Sequence, residues 1–480
     1  MTEIMNRFVA RKAEPPKARA ASTRQADFQE IYPAYKARQA ANQASRCAQC
    51  GVPFCQSACP LHNSIPDWLR LTAQGRLEEA YHLAAKTNSM PEICGRICPQ
   101  DRLCEGDCVI EQSGHGAVTI GAIEKHITET AWEKNWIAPL APRHQLATSV
   151  GVIGAGPAGL SAAESLRAHG HHVTVYDRHD RAGGLLVYGI PSFKLEKHIV
   201  ARRVRRLEAG GIAFQLGCEI GRDLSFAALR ARHDAVLVAT GVYKARALGV
   251  PVLAGAGVLA AMDFLTAANR RAFGDDVAEL ESGTLDAKAK RVVVVGGGDT
   301  AMDCVRTAIR QGAKSVTCLY RRDRANMPGS RTEVQNAEDE GVKFEWLASP
   351  KAVLGDALEV KAVRATRMRL GVADASGRRA PEEVPGTEFD TPADLVIAAL
   401  GFEPEDLPML WKASDLEVSR WGTLKIDERT FATTAPGVFA AGDIVRGASL
   451  VVWAIREGRE AAEGIHATLQ ERAAARLAAQ

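Results

Sequence analysis

Eight of the eleven cysteines lie between positions 47 and 108, in two groups of four. The first reads Cys47-x2-Cys50-x4-Cys55-x3-Cys59-Pro60, and the second Cys94-x3-Cys98-Pro99-x5-Cys104-x3-Cys108. Nothing else in the chain restricts its folding as much, because spacings this short require loops that turn back on themselves around a shared centre. In a reducing compartment, clustered thiols hold metal or do redox chemistry rather than form structural disulfides. Thiolates are soft ligands suited to iron-sulphur centres, and two sets of four fit two [4Fe-4S] clusters. Two structural zinc sites would also use four cysteines apiece. Against zinc, only Cys47 and Cys50 have the CxxC spacing common in such sites. Cys218, Cys304 and Cys318 stand alone and are expected to be small buried hydrophobes.

In the bacterial ferredoxin run, which also places a proline after the last cysteine, the fourth cysteine serves the other cluster. Ligands therefore need not follow sequence blocks. Around the cysteines the chain reads as helical: a polar arm with scattered basic residues over residues 1 to about 46 with some helix around Asp27 to Asn42, a helical stretch from Pro66 to Thr87, and a further helix near Ile120 to Trp136.

The net charge of +3 gives no reason to expect a nucleic acid partner. No apolar run reaches the roughly eighteen residues of a membrane span, and the first stretch lacks the features of a secretory signal. A cytoplasmic protein with no membrane segment is expected.

After the linker APLAPRHQ the pattern changes to α/β. The strand TSVGVIG runs into Gly154-Ala155-Gly156-Pro157-Ala158-Gly159, a helix to about His169, and the strand HVTVYD ending at Asp177. The first glycine permits a tight turn, the second lets backbone approach a pyrophosphate, and the third allows close helix packing. A carboxylate at Asp177 accepts from a ribose 2'-hydroxyl and repels a 2'-phosphate, so this site suits FAD or NAD. Arg178, Gly184, Leu185, Thr240 and Gly241 extend the candidate cofactor contacts.

The arrangement recurs at Gly296-Gly297-Gly298-Asp299-Thr300-Ala301. The step that separates Gly154 from Asp177 here lands on Leu319, beside Tyr320, Arg321 and Arg322. No acid stands there, and two guanidinium groups are what an adenosine 2'-phosphate requires, so this site suits NADPH. A late strand ends in Gly442-Asp443 before a C-terminal helix from about Ser449. It resembles the late FAD motif of pyridine-nucleotide oxidoreductases. The expected architecture is multidomain: an α-helical iron-sulphur domain with its arm (1–145), then two α/β Rossmann-like domains. The NADPH domain (253–401) is inserted into an FAD domain made of 146–252 and 402–480.

No CxxC follows residue 150 to serve as a disulfide acceptor. With the strings RCAQCGVPFCQSACPLHNSIPDW, PEICGRICPQDRLCEGDCV, GAGPAGL, GGGDTAMD, YRRDRANMPG and VFAAGDIVRGASLVVWAIREGR in order, the whole chain resembles the small subunits of bacterial NADPH-dependent glutamate synthases. It also resembles the N-terminal module of dihydropyrimidine dehydrogenase. The second resemblance implies one cluster on Cys47, Cys50, Cys55 and Cys108, and another on Cys59, Cys98 and Cys104. The fourth ligand of the latter, a side-chain amide in that family, falls on Glu124, and either Glu124 or Cys94 would close the shell.

The first resemblance implies hydride transfer from NADPH to FAD, single electrons through the clusters, and a hetero-oligomer with a large subunit carrying glutaminase and FMN sites. It also implies Glu457 near the flavin. With Thr2 rather than a cysteine after Met1, the chain is not expected to make glutamate alone. The same module could instead feed a ferredoxin or a pyrimidine-reducing partner.

Overall fold

The computed structural model describes residues 5–373 and 379–478; Met1 and Thr2, on which the expectation about a processed cysteine rests, lie outside them. The cysteine-rich part is a bundle of short helices, Ala37–Ala44, Ile65–Ala73, Leu77–Ala85, Pro91–Ile97 and Ile120–Glu133. Trp68, Ile65, Leu69, Ala80, Tyr81, Ile123 and Ile127 form its core.

The helical stretch from Pro66 to Thr87 is divided into Ile65–Ala73 and Leu77–Ala85, because Gly75 takes φ +77° and reverses the chain after Ala73. In the arm the helices are Ala21–Arg24 and Ala37–Ala44, and Asp27 to Lys36 is not helical. Its backbone is engaged elsewhere: Ile31 N donates to Phe193 O at 3.2 Å.

Two five-stranded, all-parallel sheets follow. In the first the order is Val438–Ala440, Ala235–Val238, Ser149–Ile153, His172–Asp177, Ala213–Leu216. The second has Lys343–Trp346, Ser315–Tyr320, Arg291–Val295, Leu395–Ala398, Val258–Ala260. Both central strands are continuous apolar runs because both faces of each sheet are covered, by helices on the first sheet and by helices on one face and an antiparallel sheet on the other of the second. The strand Val438–Ala440 belongs to the first sheet although the whole second sheet lies between it and Ala235–Val238 in sequence.

The chain leaves and re-enters through an antiparallel pair, Lys244–Ala245 with Phe402–Glu403. An antiparallel sheet that periodicity did not suggest joins Ala348–Gly355, Val360–Ala373, Arg379–Glu383 and Phe389–Pro392. Val252–Leu253, at the expected domain boundary, pairs with Val353–Leu354 of that sheet. The C-terminal helix Val451–Ala478 lies on Pro157–Ala168, and a Cβ at Gly458 would stand 2.1 Å from Ala158 O.

No helix of the described residues is long and apolar enough to cross a membrane.

Candidate functional site: a shared cavity beside two cysteine groups

A cavity of about 1110 Å³ opens between the two parallel sheets and the helical bundle. The first fingerprint lines it with Gly154, Gly156, Pro157 and Ala158, and Asp177, Arg178, Leu185, Thr240, Gly241 and Asp443 complete that side. Backbone sterics account for the glycines. At Gly154, φ is +109° and a Cβ would lie 2.3 Å from Ala239 O; at Gly159 it would lie 1.9 Å from Gly154 O. A Cβ at Gly156 would meet no protein atom within 4 Å, so the backbone there is open to the cavity.

Asp177 is buried: Oδ2 accepts from Ala155 N at 2.7 Å, and Oδ1 from His179 N at 2.8 Å. Thr240 Oγ1 is buried without a hydrogen-bond partner. Burial pushes the Asp443 carboxyl up to about 6, against hydrogen bonds from Ser449. A cradle open at Gly156, an orphaned hydroxyl at Thr240 and an acid at Asp443 fit a polar dinucleotide.

The second fingerprint repeats this steric pattern. A Cβ at Gly296 would lie 2.2 Å from Ala399 O, and at Gly298 nothing stands within 4 Å. Asp299 and Thr300 reach the cavity, whereas Gly296, Gly297, Gly298, Ala301, Arg321 and Arg322 do not line it. The preceding strand ends at Tyr320, so the two arginines sit just past its end, Arg321 exposed and Arg322 half-buried. Arg322 Nε has no hydrogen-bond partner.

Cysteines from both blocks come together. Cys47, Cys50, Cys55 and Cys108 line one small cavity with Pro53, Phe54, Leu69 and Val109. Gln49 donates to Cys47 Sγ from its amide side chain at 3.2 Å and its backbone N at 3.5 Å. Burial pushes the Cys55 thiol up to about 12, with the neighbouring Cys47 and Cys108 adding to the rise. A metal must therefore displace protons there.

The other four gather with Glu124. Burial raises the thiols of Cys59, Cys94, Cys98 and Cys104, and the charge of Glu124 adds to the rise at each. The Glu124 carboxyl is itself pushed up to about 8 by burial. Its Oε1 accepts from Asn63 at 3.4 Å and Asn88 at 3.2 Å. Cys94 packs into an apolar cluster with Leu61, Met90 and Ile93. Among the described residues no three Cys, His, Asp or Glu side chains converge on a single-ion site.

Cys98 lines the large cavity, together with Gly154, Asp177 and Asp443. The isolated cysteines divide: Cys304 and Cys318 are fully buried as expected, but Cys218 is half-buried and also faces the large cavity.

Sequence reasoning missed Lys194, Asp303, Glu333 and Tyr243, all lining residues. Lys194 Nζ lies 2.9 Å from Asp303 Oδ1 and 3.5 Å from Glu333 Oε2. A charged triplet drawn from three separate segments has no local signature. Glu457, which the resemblance places near a flavin, accepts from Gly442 N at 3.0 Å and pairs with Arg446.

Residues 24–136 match a family model described as dihydropyrimidine dehydrogenase domain II, 4Fe-4S cluster, and residues 148–458 match pyridine nucleotide-disulphide oxidoreductase. Over 471 residues the chain is 61% identical to the glutamate synthase [NADPH] small chain of Azospirillum brasilense, covering 98% of each. It is 45% identical to the protein of the same description in Escherichia coli, covering 97% of this chain and 99% of the other. Identity to the putative oxidoreductase AegA of E. coli is 48%, over 95% of this chain and 69% of that one. In fold, Mycobacterium tuberculosis FprA in complex with NADPH matches with TM-score 0.56 at 20% identity, over 68% of this chain and 85% of that one.

Proposed function

The chain belongs to the family of glutamate synthase [NADPH] small chains and is an NADPH-dependent oxidoreductase, and from that premise we propose that it is the electron-input subunit of such a synthase. It would hold FAD at the first fingerprint, NADPH at the second and two [4Fe-4S] clusters, and serve a large subunit that makes L-glutamate from L-glutamine and 2-oxoglutarate. The observation that carries this reading is Cys98, which borders the same cavity as Gly156 and Asp443. A metal group held by Cys98 would border the cavity that the residues of the first fingerprint also line.

Bound FAD supplies the conversion between two-electron hydride chemistry and single-electron transfer. The residues of the chain position and insulate. Gly156 leaves backbone open at the start of Pro157–Ala168, where helix N–H groups would face a pyrophosphate. Asp177 is assigned to the adenosine ribose and Asp443 to the ribityl side. Arg321 and Arg322 are assigned to the 2'-phosphate of NADPH, with permanent charge and bidentate donors.

One cluster is assigned to Cys47, Cys50, Cys55 and Cys108, the other to Cys59, Cys98 and Cys104. The fourth donor of the second is Glu124 or Cys94: the charge of Glu124 reaches Cys59, Cys98 and Cys104, and Cys94 lies within the same reach of Glu124, Cys59 and Cys98. The first group lies toward solvent, where Phe54 and Val109 in its wall and the neighbouring Val52 are exposed. An apolar rim at a redox exit suits docking of the large subunit.

A second reading, the same module feeding another acceptor, has support from the similarity to AegA, a longer chain not described as a synthase. Anaerobic co-expression with a candidate large subunit separates the two. A stable complex that oxidises NADPH only with glutamine and 2-oxoglutarate, with about eight iron atoms per small subunit, supports the synthase. Zinc in place of iron, or glutamate made by the isolated chain, overturns it.

A further inference from the structure

The N-terminal arm crosses all three parts of the molecule. Pro15, Pro16, Ile31, Tyr32 and Pro33 line the large cavity. On the cysteine bundle the arm is held through Glu30, whose Oε1 lies 2.6 Å from Arg96 Nε and whose Oε2 lies 2.5 Å from Lys125 Nζ. On the second α/β unit it is held through Gln25, which donates to Glu340 O at 2.7 Å, and through Arg24. Arg24 is buried, with Nε 2.9 Å from Glu340 Oε1 and Nη2 3.4 Å from Asp339 Oδ2.

From Glu340 a chain of ion pairs runs back to the cavity. Arg306 meets Glu340 at 2.9 Å and Glu333 at 2.6 Å, and Arg310 meets Glu340 at 2.6 Å. Glu333 and Asp303 then hold Lys194, which comes from the first α/β unit. Arg306 and Arg310 also stack on Phe193, at 4.5 and 3.9 Å from its centroid. In these ion pairs Arg24, Arg306, Arg310 and Lys194 meet Glu340, Glu333, Asp303 and the half-exposed Asp339, and Asp299 adds its charge beside Lys194 and Asp303.

We propose that Arg24 is a positioning residue for the pyridine nucleotide: the arm supplies a cation that offsets the carboxylates of the cavity wall beside the second fingerprint and so fixes Lys194 between Asp303 and Glu333. Without Arg24 this wall carries an uncompensated negative charge in a buried setting, where screening is weak, and faces an anionic dinucleotide. The proposal rests on the reading of NADPH as substrate given above.

The test is steady-state NADPH oxidation with a dye acceptor by flavin-replete, iron-loaded protein. Arg24→Gln is expected to raise KM for NADPH about fivefold with a much smaller change in kcat, and Arg24→Lys to restore most of it. The charge-balanced pair Arg24→Gln/Glu340→Gln is expected to return KM to within about twofold of the unaltered protein, which loss of mere packing would not do. If Arg24→Gln alone fails to retain flavin, the double variant still decides, provided that it retains flavin: KM near the unaltered value supports the proposal and a KM raised about fivefold overturns it. If neither variant retains flavin, KM of the flavin-replete Arg24→Lys protein decides by the same two outcomes. An unchanged KM in flavin-replete Arg24→Gln also overturns it. Failure of the unaltered protein to oxidise NADPH would instead sink the substrate reading.

Discussion

A Cβ would meet backbone oxygen at Gly154 and Gly159 but only open space at Gly156, which separates their roles experimentally. Alanine at Gly159 would place its Cβ 1.9 Å from Gly154 O, and none of that depends on a ligand. Gly159→Ala is expected to lower the melting temperature of the flavin-free protein. Gly156→Ala, whose Cβ meets only open space, should melt like the unaltered flavin-free protein yet take up FAD far more weakly in a flavin titration. Equal flavin affinity in Gly156→Ala would remove the cofactor from this site. For Arg321 and Arg322, joint replacement by alanine is expected to cut the preference for NADPH over NADH by about tenfold or more, the worth of charge-assisted hydrogen bonds to phosphate. Ratios of kcat/KM for the two coenzymes check it.

Between elements, three histidines join the end of the helix Pro157–Ala168 to the C-terminal helix Val451–Ala478. His169 stacks on His466 with centroids 4.1 Å apart, and His171 Nε2 lies 3.0 Å from His466 Nδ1. Burial, joined by the charges of the nearby His466 and His169, lowers the His171 imidazole to about 4. A folded-state value below the unfolded 6.5 means that the unfolded chain takes up the proton first. The stability His171 contributes is therefore complete above about 6.5 and is lost as pH falls toward 4. Melting temperatures between pH 7 and 5 should fall less steeply in His171→Gln than in the unaltered protein. Parallel slopes would show that this contact does not sense protons.

Across the whole molecule, buried ion pairs join the parts. Glu92 of the cysteine bundle and Arg203 of the first α/β unit are both buried and meet at 2.7 Å. Glu92→Ala would strand a guanidinium in the interface and is expected to cost about 3–5 kcal/mol. Glu79→Ala, which removes a solvent-exposed pair with Arg76, should leave the unfolding midpoint nearly unmoved. Denaturant titration of the two variants reads the difference. Arg181 with Asp275 at 2.6 Å and Arg270 with Asp180 at 2.9 Å tie the two α/β units together as well.

Both fingerprints, their strands and helices, and the absence of an acid at Leu319, the position that matches Asp177, were legible in the sequence because each depends on residues close together in the chain. The cysteine count was legible for the same reason. Which cysteines share a cavity was not readable from spacing, since Cys108 joins Cys47, Cys50 and Cys55 only when the bundle folds. Tertiary structure alone brought Cys98 to the large cavity, built the antiparallel sheet and ran the arm from Glu30 to Glu340. These features join residues far apart in the chain, and their energies come from burial and charge pairing that no local pattern encodes.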